Sequence, residues 1–182
     1  MAGINRAAKN FRMFSESRKI TGVKCIFLSH QQNDKDVCRR ISDYLMAADI
    51  DVYFDEDDTD LKYYRQTKRP QGVVDSIKTG INNSSHMLVV VSPNTMYSSW
   101  VPWEVGYGYD NTHLGVLTLK GIKDELLPDY LKTTLIVRGT KSLNEYLARI
   151  TGRIESVMES INLIKGHTMG SHPLDNYLDW NQ

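Results

Sequence analysis

Five consecutive apolar residues, Met87-Leu88-Val89-Val90-Val91, constrain the fold of this chain more than any other stretch. The run is β-branched at its end and has no polar position to turn towards water, so it predicts a strand covered on both faces. Strands of that kind belong to parallel sheets flanked by helices. The run is also the longest purely apolar one and is far too short to cross a bilayer.

The flanking sequence alternates strand and helix signals. Lys24–Ser29 (KCIFLS) predicts a first strand ending in Ser29-His30. Val37, Cys38, Ile41, Tyr44, Leu45 and Ala48 fall at helical spacing over Asp34–Ala48, with Asn33 as the expected cap. Ile50–Phe54 reads as a second strand, and the charged stretch Asp55–Gln71 as a loop ended by Pro70. Val73, Val74, Ile77 and Ile81 mark one face of a helix over Gly72–Asn82. Leu114–Leu119 and Thr134–Val137 supply two further strands, separated by a loop with a short helix around Pro128. Ser142 and Glu145 make a capping box, which predicts one long helix reaching Ile161. Five strands with helices between them imply a flavodoxin-like three-layer α/β fold with a five-stranded parallel sheet. The expected divisions are an N-terminal arm or helix over 1–22, a domain over 23–165 and a tail over 166–182. The arm carries Arg6, Lys9 and Arg12, and the tail carries Leu174, Tyr177, Leu178 and Trp180 as residues able to dock.

Lysine plus arginine and aspartate plus glutamate each number 22, so no global field draws the chain to nucleic acid or an anionic membrane. Cys25 in the first strand and Cys38 on an apolar helix face read as small buried hydrophobes, not as a disulfide framework. A reduced, cytoplasmic protein is expected. The basic N-terminus lacks the apolar stretch of a secretory signal.

In open parallel sheets ligands bind beyond the carboxyl ends of the strands, where strand order reverses. Ser29–Asn33, the start of the Asp55 loop and Ser92–Glu104 would converge there. The last of these holds Ser92, Tyr97, Trp100, Pro102, Trp103 and Glu104. Pro102 suits a first helical turn, which places Glu104 near a helix N-terminus, where the dipole favours an ionised carboxylate. A developing sugar cation needs such a group. On pattern alone, however, dipole compensation by Glu104 and core packing by the tryptophans are the stronger readings. His30 is the histidine at the crevice, while His86 reads as structural and His167 and His172 stand in the tail without metal-ligand company. The acidic run Asp55, Glu56, Asp57, Asp58 and Asp60 reads as a solvated loop in preference to a divalent-metal site. A phosphoacceptor receiver would need acidic residues where Ser29-His30 stands.

The order of these features resembles the TIR domain, and its bacterial branch more than animal receptor adaptors. The resemblance rests on FLSH (Phe27–His30), DVYFDE (Asp51–Glu56), the apolar strand leading into Ser92-Pro93, and SSWVPWE (Ser98–Glu104), and covers about Lys24 to Ile150. It implies an NAD⁺ nucleosidase with Glu104 as the catalytic carboxylate, in a W-x-x-x-E pattern with Trp100. It further implies that Phe27, Ser29 and His30 line the nucleotide pocket, with Ser92, Tyr97, Trp100 and Trp103 as further substrate-binding candidates. NAD⁺ would be substrate, with no bound cofactor and no metal. Nicotinamide departs neutral, so no general acid is required, in contrast to the two carboxylates of ordinary glycosidases. The loop after the second strand would gate the site and mediate assembly, but here it lacks the family's Gly-Asp turn. By the same resemblance the chain self-associates with other TIR domains. As a stand-alone protein of Thoeris-like antiphage type, it would make linear or cyclic ADP-ribose as a signal for a separate effector. A non-catalytic TIR assembly module and a nucleoside deoxyribosyltransferase are the alternatives.

Overall fold

The computed structural model describes residues 2–8, 22, 24–166, 170–180 and 182. Five strands form one all-parallel sheet: β1 (Cys25–Ser29), β2 (Asp51–Tyr53), β3 (His86–Val91), β4 (His113–Thr118) and β5 (Leu135–Val137). Their order across the sheet is β2-β1-β3-β4-β5, so the chain reverses its direction of travel between β1 and β3. The apolar run of β3 occupies the centre, in register with β1 from Ile26↔His86 and with β4 from His86↔His113. All six of its residues are buried.

Alternation along the strands assigns two cores. Cys25, Phe27, Met87, Val89, Val91 and Val116 face one layer of helices. Ile26, Leu28, Leu88, Val90 and Leu117 face the other. The first layer holds α2 (Thr59–Gln66), α3 (Pro70–Asn82), α4 (Trp100–Tyr109) and the single turn α5 (Asp129–Lys132), docked through Leu61, Val73, Ile77, Val101, Val105 and Leu131. The second holds α1 (Lys35–Ala47), α6 (Thr140–Thr151) and α7 (Glu155–Ser160) through Ile41, Leu45, Leu143, Leu147 and Met158. Because side chains alternate with period two, a one-residue slip of β3 would exchange its two buried faces and lose both interdigitations.

Five local expectations are corrected. The stretch read as a loop after β2 contains a 3₁₀ turn (Asp55–Asp57) and then α2, whose N-cap Asp58 accepts from the amides of Asp60 and Leu61 at 2.9 and 3.0 Å. Pro70 does not end that stretch but opens α3, a position that suits its fixed φ. The expected long terminal helix is broken, because Gly152 at φ 67° forms a left-handed C-cap that residues with a Cβ adopt at a cost. Ser142 is not its N-cap either: it lies inside α6, where its Oγ accepts from the amides of Arg138 and Gly139. Asn33 is likewise not the cap of α1, since Gln32–Asp34 form a 3₁₀ turn ahead of it.

Both ends of the chain pack on the domain. Residues 3–6 run beside β2, with Val52 N donating to Ile4 O at 2.9 Å and Arg6 N donating to Val52 O at 2.7 Å. They cover an edge that would otherwise present unpaired backbone groups. Arg6 is buried and paired with Asp51 at 2.8 Å, whereas Lys9 and Arg12 lie outside the described residues. At the other end Leu174 and Leu178 are fully buried in the second core, and Thr140 N donates to Asp179 O at 2.9 Å. Gly139 permits that approach, because a Cβ there would meet Asp179 O at 2.2 Å. Cys25 and Cys38 are buried free thiols, and burial pushes Cys25 up to about 11. Among the described residues no helix is long and apolar enough to cross a membrane.

Candidate active site

Beyond the carboxyl ends of β1 and β3 lies a cleft of about 160 Å³, at the reversal point of the strand order. The turn after β1 contributes His30 to it, the turn after β2 contributes Asp55 and Glu56, and α2 contributes Arg65. The segment leading into α4 contributes Tyr97 and Trp100. Glu104 projects from α4 into its floor and is only 4 % exposed.

Glu104 is held rather than free. Ser29 Oγ donates to its Oε2 at 2.6 Å, joining the end of β1 to α4. Burial raises its pKa to about 7, and the negative charge of Asp55 adds to that, while the Ser29 hydrogen bond and Arg65 act in the opposite direction. The dipole expected to favour the ionised carboxylate is therefore opposed by burial. Glu104 is the fifth residue of α4, beyond its first turn, where the helix dipole has weakened and loss of water is the largest influence on the carboxyl. Near neutral pH the carboxyl and carboxylate forms are about equally populated, the poise that suits a group required to gain or lose a proton.

Of the substrate-binding candidates, His30, Tyr97 and Trp100 line the cleft with Glu104, and Ser29 touches Glu104 from beneath. Tyr97 is 87 % exposed at the rim, and Trp100, 37 % exposed, stands beside it against Trp103. Phe27, Ser92 and Trp103 are not brought to the cleft. Phe27 is buried and stacks on Tyr53 in the first core, because it shares the face of β1 with Ser29 but lies one pleat deeper, beneath the cleft. Ser92 Oγ donates to Asp34 Oδ2 at 2.5 Å, and Asn94 Nδ2 donates to Asp34 Oδ1 at 2.7 Å. Ser92 therefore ties the loop after β3 to the loop after β1. Trp103 stacks on Tyr107 with ring centroids 5.9 Å apart and meets Trp100 edge-on, so it buttresses the rim.

The acidic run is not a solvated loop. Asp58, fully buried, caps α2 and accepts from the Tyr53 hydroxyl. Asp57 accepts from Asn5 and from both terminal nitrogens of Arg39, which holds its carboxyl below the usual range. Asp55 and Glu56 turn to the cleft, where Arg65 donates to Asp55 Oδ2 at 3.1 Å. With His30 they bring one possible ligand atom each within 4.8 Å of one another. Arg65 carries no sequence signal, since it stands in the stretch that lacks helical periodicity. The cleft walls thus hold three carboxyl groups, Asp55, Glu56 and Glu104, against one guanidinium.

A family model described as the TIR domain matches residues 26–146, about two-thirds of the chain, from β1 into α6 and including every residue of this cleft. No curated protein matches the sequence.

Proposed function

Since the chain belongs to the TIR-domain family, we propose that it is an NAD⁺ nucleosidase that cleaves the nicotinamide–ribose bond with Glu104 as its catalytic carboxylate. The observation that carries this reading is a buried glutamate with a pKa of about 7, in an acidic cleft at the strand-order reversal. The nicotinamide ring of NAD⁺ is a cation, which the carboxyl groups of Asp55, Glu56 and Glu104 attract and which in turn favours the ionised form of Glu104. As the glycosidic bond lengthens, positive charge moves to the ribose, where a fixed carboxylate in a water-poor site stabilises it far more than bulk water would. Ser29 fixes Oε2, so no reorganisation of the carboxylate is required at that moment. Nicotinamide leaves neutral and needs no proton.

The acceptor is water or a group of the nucleotide itself. With water the product is ADP-ribose, and Glu104 at about pH 7 can take the proton that the attacking water releases. With an internal nitrogen or hydroxyl the product is a cyclic ADP-ribose isomer. A cleft of about 160 Å³ is smaller than the roughly 300–1,000 Å³ of a drug-sized ligand site. It takes the nicotinamide and ribose, and leaves the adenylate at the rim beside Tyr97 and Trp100. In a cytoplasmic, Thoeris-like antiphage setting such a product would signal to a separate effector, with activity promoted by self-association.

A second reading, a non-catalytic TIR assembly module, draws on the exposed Met96, Tyr97 and Leu126 beside the same rim. The two separate when purified protein at high concentration is incubated with NAD⁺, with free nucleosides in parallel, and products are identified by mass spectrometry. Nicotinamide release supports the enzyme. Its absence, with any activating partner supplied, favours the assembly module, and base release from nucleosides alone indicates a nucleoside transferase.

A further inference from the structure

We propose that His30, Asp55 and Glu56 form a binding site for one divalent transition-metal cation in the wall of the cleft. One nitrogen or oxygen from each lies within 4.8 Å of the other two, close to the spread of donors around a single ion held at about 2.0–2.2 Å. Residues at the ends of two adjacent strands supply this set, His30 after β1 and Asp55-Glu56 after β2. The remainder of the acidic run is engaged elsewhere, Asp57 with Arg39 and Asp58 as a helix cap.

Each of the three also has one polar atom held by the protein. His30 Nδ1 donates to the Leu28 carbonyl at 3.2 Å, which fixes the tautomer and leaves the lone pair of the neutral ring on Nε2. Arg65 donates to Asp55 Oδ2 at 3.1 Å, and Gln32 donates to Glu56 Oε1 at 3.2 Å. Bracing of this kind orients ligands around metal ions. The independent observation is Asp55 Oδ1. Asp55 is 7 % exposed, and this oxygen has no hydrogen-bond partner among the described residues. His30 Nδ1 lies 3.7 Å away, beyond hydrogen-bond reach. A buried carboxylate oxygen left without a donor is costly, and a cation seated between Asp55, His30 and Glu56 satisfies it.

One imidazole nitrogen with two carboxylate oxygens selects for ions that accept mixed donors, such as Mn²⁺, Fe²⁺, Co²⁺ or Zn²⁺, over the all-oxygen preference of Ca²⁺ and Mg²⁺. Arg65 on Oδ2 restricts Asp55 to coordination through Oδ1, so three protein donors leave positions open to water or to a ligand oxygen. The site is argued from its donors alone, but Asp55 and Glu56 are also the carboxyl groups that the NAD⁺ reading sets against the nicotinamide cation, so a bound ion and that cation would compete for them.

The test uses Mn²⁺ alone, without nucleotide, titrated into the full chain and followed by electron paramagnetic resonance. We expect one ion per chain, with a histidine-nitrogen coupling in the pulsed spectrum. Affinity should fall at least about tenfold in both His30→Ala and Glu56→Gln, and should be unchanged in Asp129→Asn, whose carboxylate is fully exposed elsewhere. Thermal melts confirm that the variants are folded. If His30→Ala does not fold, the nitrogen coupling of the natural protein and the Glu56→Gln titration decide the matter. Absence of saturable binding up to about 1 mM, the weak limit of biological divalent sites, would overturn the proposal, as would binding that persists in both variants. Neither result bears on NAD⁺ cleavage, which the titration does not measure.

Discussion

Replacing Glu104 by glutamine probes the burial of its carboxyl group without any substrate. In the unfolded chain this group ionises near 4.5, and in the folded protein near 7. Between those values the folded state retains a proton that the unfolded chain has released. Stability therefore falls as pH rises through that window, and the full penalty is present above pH 7. At 1.36 kcal/mol per pKa unit the total penalty is about 3 kcal/mol, of which about 2–3 kcal/mol accrues between pH 5 and pH 8. Glutamine does not titrate, so Glu104→Gln is exempt from this loss. Whatever the fixed cost of placing an amide against Ser29, the stability of the variant relative to the natural protein should rise by about 2–3 kcal/mol from pH 5 to pH 8. For a domain of this size that corresponds to a relative gain of roughly 5–10 °C in Tm. Paired thermal or urea denaturation at the two pH values measures it. A difference independent of pH, or one that grows against the variant, would refute a carboxyl at this position whose burial outweighs its hydrogen bond from Ser29.

Four further outcomes follow from the same contacts. If the ionised form of Glu104 is the one that acts, kcat/KM for NAD⁺ should rise about tenfold per pH unit below about 7 and level off above it, as read from a pH–rate profile. Ser29→Ala removes the donor that favours the carboxylate, so the acidic limb should move to higher pH and activity at pH 7 should fall. Asp58→Ala removes the cap of α2 and leaves the buried Tyr53 hydroxyl without its acceptor, for a loss of roughly 2–4 kcal/mol in urea denaturation; Asp58→Asn, which retains a capping oxygen, should lose less. Leu178→Ala should cost roughly 2–5 kcal/mol, since that side chain is fully buried in the second core, and a near-neutral result would show that the C-terminal segment does not contribute to it.

The sheet was legible because its strands carry their own signal. Met87–Val91 reads as a strand buried on both faces, and KCIFLS and IDVYF pass into polar residues, Ser29-His30 and Asp55-Glu56, where the chain leaves the sheet. α2 was not legible: Leu61 is its one buried residue, so no apolar stripe marks it, and its cap is hidden within an acidic run. The apolar spacing from Leu143 to Ile161 concealed the break at Gly152, a single residue whose left-handed backbone outweighs periodicity. Docking of the chain ends depends on backbone pairing with β2 and Gly139, which leaves no local pattern. In the site, the resemblance to the TIR pattern W-x-x-x-E pointed to Trp100 and Glu104, and both line the cleft. The elevated pKa of Glu104 was not legible, because it arises from burial and from Asp55, contributed by another strand. Phe27 shares the Ser29 face of β1 but lies one pleat deeper, in the core, and Asp34 engages Ser92.

Nicotinamide release from NAD⁺, measured in parallel for the natural protein and for Glu104→Gln at pH 8, tests the central claim most directly. The variant should be folded and at least as stable relative to the natural protein as it is at pH 5. Its rate should fall by two orders of magnitude or more, the scale on which loss of a preorganised electrostatic group acts. Cleavage by Glu104→Gln at a rate within a few-fold of the natural protein would contradict the assignment of Glu104 as the catalytic carboxylate.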